Sequence, residues 1–384
     1  MTVRTINPMT NTNRFKLGLF SINADGGTAF TKVPNRWQAD WSQIARAVQT
    51  ADAAGLEFIL PIARWKGYGG ETNVRAASFE TLTHAAALAA VTRSIAIFAT
   101  VHVPLVHPVF AAKALMTVDH VSGGRAGLNI VCGWNQEEFD MFGHHQSEHD
   151  DRYAQGFEWY EILTRIFASG VPFDHSGRFY NLKQVIGAPA PVQQPRPVTL
   201  SAAFSPAGRR FAAATSDFLF TTMPDFESAA SHIAEIRRLA TDAGRDVGVL
   251  TTTHVVCRET DAEAMEYYHF YAEENADADA VTFHQRKKEA HYGALEPDTF
   301  KIERRRYAGG TGSYPLVGRP ERIAEEIIAM RKLGLAGATI SFVNFNEELP
   351  FFIERVLPLL HQAGLREAHG TAAEAPRAAT RRSS

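Results

Sequence analysis

The chain has 384 residues, a formal net charge of -3, a hydrophobic fraction of 45% and two cysteines. That size and apolar share suit one α/β barrel or two smaller domains, while the charge offers no attraction to nucleic acid or an anionic membrane. No apolar run approaches the about 20 residues of a membrane span, and Cys132 and Cys257 stand in neither a disulfide framework nor a metal-ligand spacing.

In chain order, residues 1–14 are polar and read as a flexible N-terminus without the apolar core of a secretory signal, so a cytoplasmic protein is expected. An apolar strand over 16–21 comes first, then a long polar loop and an amphipathic helix over 41–54. A strand over 58–61 leads through the glycine-rich KGYGGETN into a helix over 78–91. A strand over 95–101, the loop HVPLVHP and a helix over 109–120 follow. The next strand, 126–131, is launched by Gly123 and Gly124 and ends abruptly in Cys132 and Gly133, with a helix from HDDRY to about 168 beyond it. Further strands are expected at 198–202, 217–221 and 248–257, with helices starting at Ser205 and near Asp225. A helix over 319–333, a strand over 338–343 and a helix over 347–361 close the pattern. Eight short runs that read as buried on both faces, each followed by a helix, predict the α/β class and a parallel (β/α)8 TIM barrel.

Residues 275–312 break the rhythm. They are charged and irregular (HQRKKEAHYG, KIERRRYAGGTG) and read either as an insertion that serves as a lid before the last strand, or as a solvated helical excursion. Residues 366–384, rich in Ala, Arg and Ser, read as a disordered tail after a domain spanning 15–365.

Parallel barrels keep their chemistry past the C-terminal ends of their strands, and several polar residues fall there. Ser205, in SPAG, is a favoured helix N-cap with Pro206 at the first helical position, so it either caps a helix or helps to form an anion site. Arg152 and Tyr153 add a guanidinium fork and a phenol that together suit a phosphate monoester. Asn129 lies inside an apolar strand, where a buried amide costs about 1–3 kcal/mol unless it is hydrogen-bonded. It is either a satisfied barrel amide or a partner for a cofactor edge, and Thr100 near the end of its strand poses the same choice. Arg64 follows the second strand on the same side. Glu137 and Glu138 follow the fourth, where a carboxylate could accept from a ring N–H or simply favour a helix start. His254, inside another apolar strand, reads as a hydrogen-bonded core residue or as a catalyst. The histidines at 102, 107, 144, 145 and 149 form no helical metal motif, so no metal is expected. No GxSxG, P-loop or strand-borne GxGxxG occurs, which removes the common hydrolase, NTPase and dinucleotide-binding readings.

The segments SGGRAGLNIVCGW, EEFDMFG, HDDRY, SPAG and LVGRPERIAEEI resemble the bacterial luciferase-like flavin-dependent monooxygenases, within them the pyrimidine and dimethylsulfone monooxygenase branch, over residues 15 to about 365. The resemblance implies a TIM barrel with an insertion before the last strand. It implies FMN contacts at Ala63, Arg64, Asn129, Glu138, Arg152, Tyr153 and Ser205, with the last three at the phosphate, and a dioxygen site at Thr100 and Asn129. Around His254 and HDDRY the chain is also similar to alkanesulfonate monooxygenases, which makes His254 a third candidate catalytic residue. The cysteine after the second strand and the Gly-Tyr-Pro-His run of those enzymes are replaced here by ARWKGYGG and FVNF. The implied activity is a two-component one. Reduced FMN (FMNH2) comes from a separate NAD(P)H-dependent flavin reductase, reacts with O2 to a flavin peroxide, and a small substrate is cleaved at an amide, C–S or C–halogen bond. A homodimer or homotetramer is the implied assembly. The alternatives are an F420-dependent oxidoreductase on the same barrel and a non-catalytic flavin-binding subunit.

Overall fold

The computed structural model describes residues 7–133, 135–144, 149–292 and 304–367. The strands are β1 (Lys16–Phe20), β2 (Phe58–Leu60), β3 (Ala96–His102), β4 (Ala126–Val131), β5 (Phe173–Ser176), β6 (Asn181–Val185), β7 (Val198–Ala202), β8 (Phe218–Thr221), β9 (Gly248–Cys257), β10 (Tyr314–Gly318) and β11 (Gly337–Ile340). Eight of them close a parallel ring in the order β1-β2-β3-β4-β7-β8-β9-β11, with β11 returning to β1. Helices on the outer face make this the expected TIM barrel.

The ring is filled by pairing rings with bare backbone. A Cβ on Gly18 would come within 2.6 Å of the Phe58 ring, one on Gly127 within 2.6 Å of Phe98, and one on Gly248 within 2.6 Å of Phe218. The glycines inside three strands therefore make space for aromatic rings on the neighbouring strands, and the interior is a packed core.

Two elements were not expected. The antiparallel pair β5 and β6 sits between the helix His149–Ala168 and β7. β10 lies outside the ring: the first half of β9 pairs with β8 and β11, and its second half, Thr253–Cys257, pairs with β10. The insertion is partly helical, with helices Ala278–Tyr292 and Arg304–Gly310, while residues 293–303 lie outside the described residues.

Both chain ends need correction. Residues 1–6 and 368–384 of the expected flexible segments lie outside the described residues, but residues 7–14 pack across the N-terminal end of the barrel, where Met9 joins the barrel core at 2% exposure. Arg366, grouped with the tail from its composition, is buried and bonded to Glu57 at 2.6 Å. A buried carboxylate needs a partner, and the chain supplies it from residues far away in sequence. Among the described residues no helix is long and apolar enough to cross a membrane, and no group of three His, Cys, Asp or Glu is placed to hold a metal ion.

Candidate active site

A cavity of about 530 Å³ opens at the C-terminal end of the ring. Ala63, Arg64, Thr100, Asn129, Arg152, Tyr153 and Ser205 all line it, so seven of the nine positions expected as FMN contacts or catalytic residues share one cavity. Its volume falls in the usual range for small-molecule sites.

Thr100 and Asn129 sit side by side because β3 and β4 pair in register at those residues. The Thr100 hydroxyl donates to the Pro61 carbonyl at 2.6 Å, so its oxygen is left as an acceptor for Asn129 Nδ2 at 3.1 Å. That chain of bonds fixes the amide orientation, because a flipped Asn129 would set acceptor against acceptor. Its Oδ1 is buried without a hydrogen-bond partner among the described residues. A buried carbonyl oxygen in that state is costly alone and suits a ligand that brings an N–H.

Arg152, Tyr153 and Ser205 meet on another side. Ser205 caps the helix Pro206–Thr215, accepting from the Gly208 amide at 3.1 Å, and its hydroxyl lies 3.3 Å from the Tyr153 phenol. Arg152 Nη1 donates to the Gly133 carbonyl at 2.6 Å. A Cβ on Gly208 would stand 2.7 Å from the Tyr153 oxygen and 3.3 Å from Ser205 Oγ, so glycine keeps this corner open. A helix N-terminus, a hydroxyl, a phenol and a guanidinium together form a cradle for an oxyanion.

Glu138 is not on the cavity wall. It stands behind Arg64, with its Oε2 3.0 Å from Arg64 Nη1 and its Oε1 accepting from the Trp65 amide at 3.0 Å. Burial pushes its carboxyl up, but Arg64, His102 and the amides of Trp65 and Lys66 more than offset this and hold it below its ordinary value. His102, on the wall, is lowered by burial to about 4 and so is neutral at physiological pH.

His254 lies outside the cavity lining. It is on the half of β9 that pairs with β10, with Nδ1 2.8 Å from the Ser313 hydroxyl and Nε2 3.2 Å from the Tyr268 phenol. A Cβ on Gly310 would fall 2.2 Å from its Nδ1, so the insertion's backbone packs directly on the ring. Burial, with Arg306 nearby, lowers this imidazole to about 3.

The cavity also has walls that sequence reasoning missed. Tyr68 and Arg75 come from the long loop after β2, and His284, Gly310 and Thr311 come from the insertion. KGYGGETN was visible as a glycine-rich loop, but nothing local marked Arg75.

The luciferase-like monooxygenase family matches residues 15–337. The FMNH2-dependent dimethylsulfone monooxygenase of Pseudomonas putida is 31% identical, over 90% of this chain and 95% of that protein. The pyrimidine monooxygenase of Bradyrhizobium sp. (strain BTAi1 / ATCC BAA-1182) is 28% identical, over 91% of this chain and 98% of that one. A riboflavin lyase crystallised with modified FMN and riboflavin shares the fold, with a TM-score of 0.83 at 21% identity, covering 94% of each chain.

Proposed function

The chain belongs to the luciferase-like monooxygenase family, and from that premise we propose that it is an FMN-dependent two-component monooxygenase of the cytoplasm. It takes FMNH2 from a separate NAD(P)H-dependent flavin reductase and uses O2 to oxygenate and cleave a small organic substrate at an amide, C–S or C–halogen bond. The observation that carries this reading is the pairing of two features in one cavity: an oxyanion cradle and a fixed, unpartnered amide oxygen. Both features fit FMN, which has a phosphate at one end and a ring N–H at the other.

In this reading Arg152, Tyr153 and Ser205 hold the phosphate. Asn129 Oδ1 accepts from a ring N–H, and Thr100 keeps the amide turned the right way. Ala63 and Arg64 border the ring, and Glu138 pins Arg64 through its ion pair. Bound reduced FMN supplies the two electrons with which O2 is activated for transfer of one oxygen atom to the substrate. The chain's part is to bind, orient and exclude bulk water. His254 acts as a positioning residue, tying the insertion to the ring through Ser313 and Tyr268. A homo-oligomer belongs to this reading as well: Phe110 and Val121 on the helix Pro108–Ser122 are 62% and 48% exposed and offer an apolar pairing face.

The test is anaerobic reduction of protein-bound FMN followed by rapid mixing with oxygenated buffer and a panel of amides, sulfones and halogenated aromatics. The expected result is an absorbance transient distinct from both reduced and oxidised flavin, with substrate consumed. Failure to bind FMN, together with hydride transfer from F420 that needs no O2, would replace this reading with the F420-dependent one.

A further inference from the structure

Arg75 is 4% exposed and lines the cavity. Its Nε donates to the Gly27 carbonyl at 3.0 Å and its Nη2 to the Thr311 hydroxyl at 3.2 Å. No carboxylate stands within ion-pair distance of it among the described residues. The carboxylate that faces it is Glu138, already bonded to Arg64 and to the Trp65 amide. The Tyr68 phenol also faces it and favours its charged form, and the Arg64 guanidinium repels it. A buried guanidinium in that state lacks a counter-charge.

The chain holds Arg75 there against local preference. Arg75 and Thr311 carry φ values of 68° and 56°, left-handed conformations that are uncommon for an arginine and a marked outlier for a β-branched threonine. Each is pinned. The Arg75 amide donates to the Asp25 carbonyl at 3.0 Å, and the Thr311 hydroxyl donates to the Thr28 carbonyl at 2.7 Å, which leaves its oxygen to accept from Arg75. Three segments, the loops after β1 and β2 and the insertion, thus converge to aim one cation into the cavity. In ring order β1 and β11 lie opposite β4 and β7, the strands that carry the phosphate cradle. Beside Arg75 the rings of Tyr68 and His284 stand edge to face with centroids 4.4 Å apart. Arg75 itself lies 5.7 Å from the Tyr68 ring centroid.

We propose that Arg75 is a substrate anchor, and that the substrate is a small organic carboxylate whose anionic end is bound by this guanidinium across the cavity from the FMN phosphate. The proposal rests on the flavin reading of the same cavity and adds its substrate class. Two parallel N–H···O bonds from a guanidinium suit a carboxylate, and the aromatic edges accept its carbon skeleton.

The experiment is calorimetric titration of benzoate and of benzyl alcohol, matched in size and differing in charge, into anaerobic protein loaded with reduced FMN and into FMN-free protein. FMN loading removes the Arg152 end from competition. The expected result is benzoate binding to wild type ~10-fold or more tighter than benzyl alcohol. Arg75→Gln should lose that preference, Arg75→Lys should keep most of it, and FMN affinity should stay within about 2-fold in both, because neither substitution touches the phosphate cradle. Should Arg75→Gln not fold, wild type alone decides: nitrate must displace benzoate and leave benzyl alcohol bound. Equal affinity for the two probes, a preference that survives in a folded Arg75→Gln, or no displacement by nitrate overturns the proposal. So does an FMN affinity that falls in Arg75→Gln as it does in Arg152→Ala. A wild type that prefers benzoate yet binds no FMN sinks the flavin reading alone; the anion site then stands if Arg75→Gln loses the preference while Arg152→Ala keeps it, and falls if the reverse holds.

Discussion

The two ends of this barrel treat their polar groups in opposite ways. At the N-terminal end, three buried charges are tied to the chain on every side that matters for their charge, although Arg366 Nε is left without a partner among the described residues. Glu57 accepts from the Leu17 amide, from Asn13 and from Arg366. Arg125 spends all three nitrogens on Ser122, Thr92, Ile95 and Ala89. Asp52 accepts from three consecutive amides at Arg93, Ser94 and Ile95. At the C-terminal end, by contrast, Asn129 keeps an unpartnered oxygen and Arg75 an unpaired charge, both more than nine-tenths buried. Burial is comparable at the two ends, so burial alone does not distinguish scaffold from site. What differs is whether the chain itself completes the hydrogen bonds.

Arg366→Met should produce the largest effect. It removes the ion-pair partner of Glu57, 0% exposed, and leaves that carboxylate to the Leu17 amide, Asn13 and the nearby Lys16, at a cost of about 3 kcal/mol of stability. Urea denaturation should show the midpoint fall, while the folded protein keeps its FMN affinity. A flavin affinity that falls along with stability would mean that the two ends are coupled.

Asn129→Ala probes the other end. It removes an oxygen with no partner together with the Nδ2 bond to Thr100, two changes of opposite sign that should leave stability within about 1 kcal/mol, while product formation should drop by about 10²–10³-fold, as for loss of one preorganised polar group. Product per NADH consumed, set against the thermal midpoint, checks this. A large loss of stability with activity retained would make Asn129 a scaffold residue.

Arg152→Ala should act at an intermediate scale. Loss of a charge-assisted hydrogen bond worth about 1.5–3 kcal/mol weakens FMN binding by about 10–100-fold. Fluorescence titration reads this directly, and an unchanged affinity would remove Arg152 from the cradle.

Legibility in the sequence followed the same division between local and distant partners. The eight ring strands were visible because a strand covered on both faces leaves a continuous apolar run. Asn129 stood out because it interrupts one, and Ser205 because a cap is a local signal in sequence. The β5–β6 pair lies on the surface, with one buried residue in each strand, and offered no such run. β10 gains its partner only from the unusual length of β9. Arg75 could not be singled out, since Gly27 and Thr311, 48 and 236 residues away, are what aim it. Arg366 was lost for the same reason, its partner being 309 residues distant.

The insertion's anchor gives the smallest and most specific effect. His254 is held neutral, lowered by burial to about 3 from an ordinary value of 6.5. Above pH 6.5 neither the folded nor the unfolded chain protonates it, and it adds no pH dependence. Below that, the unfolded chain takes up a proton that the folded one refuses, so stability falls with pH by about 1.4 kcal/mol per unit. His254→Leu leaves the Ser313 and Tyr268 hydroxyls without the imidazole and should cost about 1 kcal/mol at pH 8. At pH 5 the wild type has lost about 2 kcal/mol through this one group, so the gap between the two proteins should close or invert. Urea denaturation of both at the two pH values tests it. A gap that stays constant would show that this imidazole accepts a proton in the fold, and that the anchor is more open to water than its two hydrogen bonds imply.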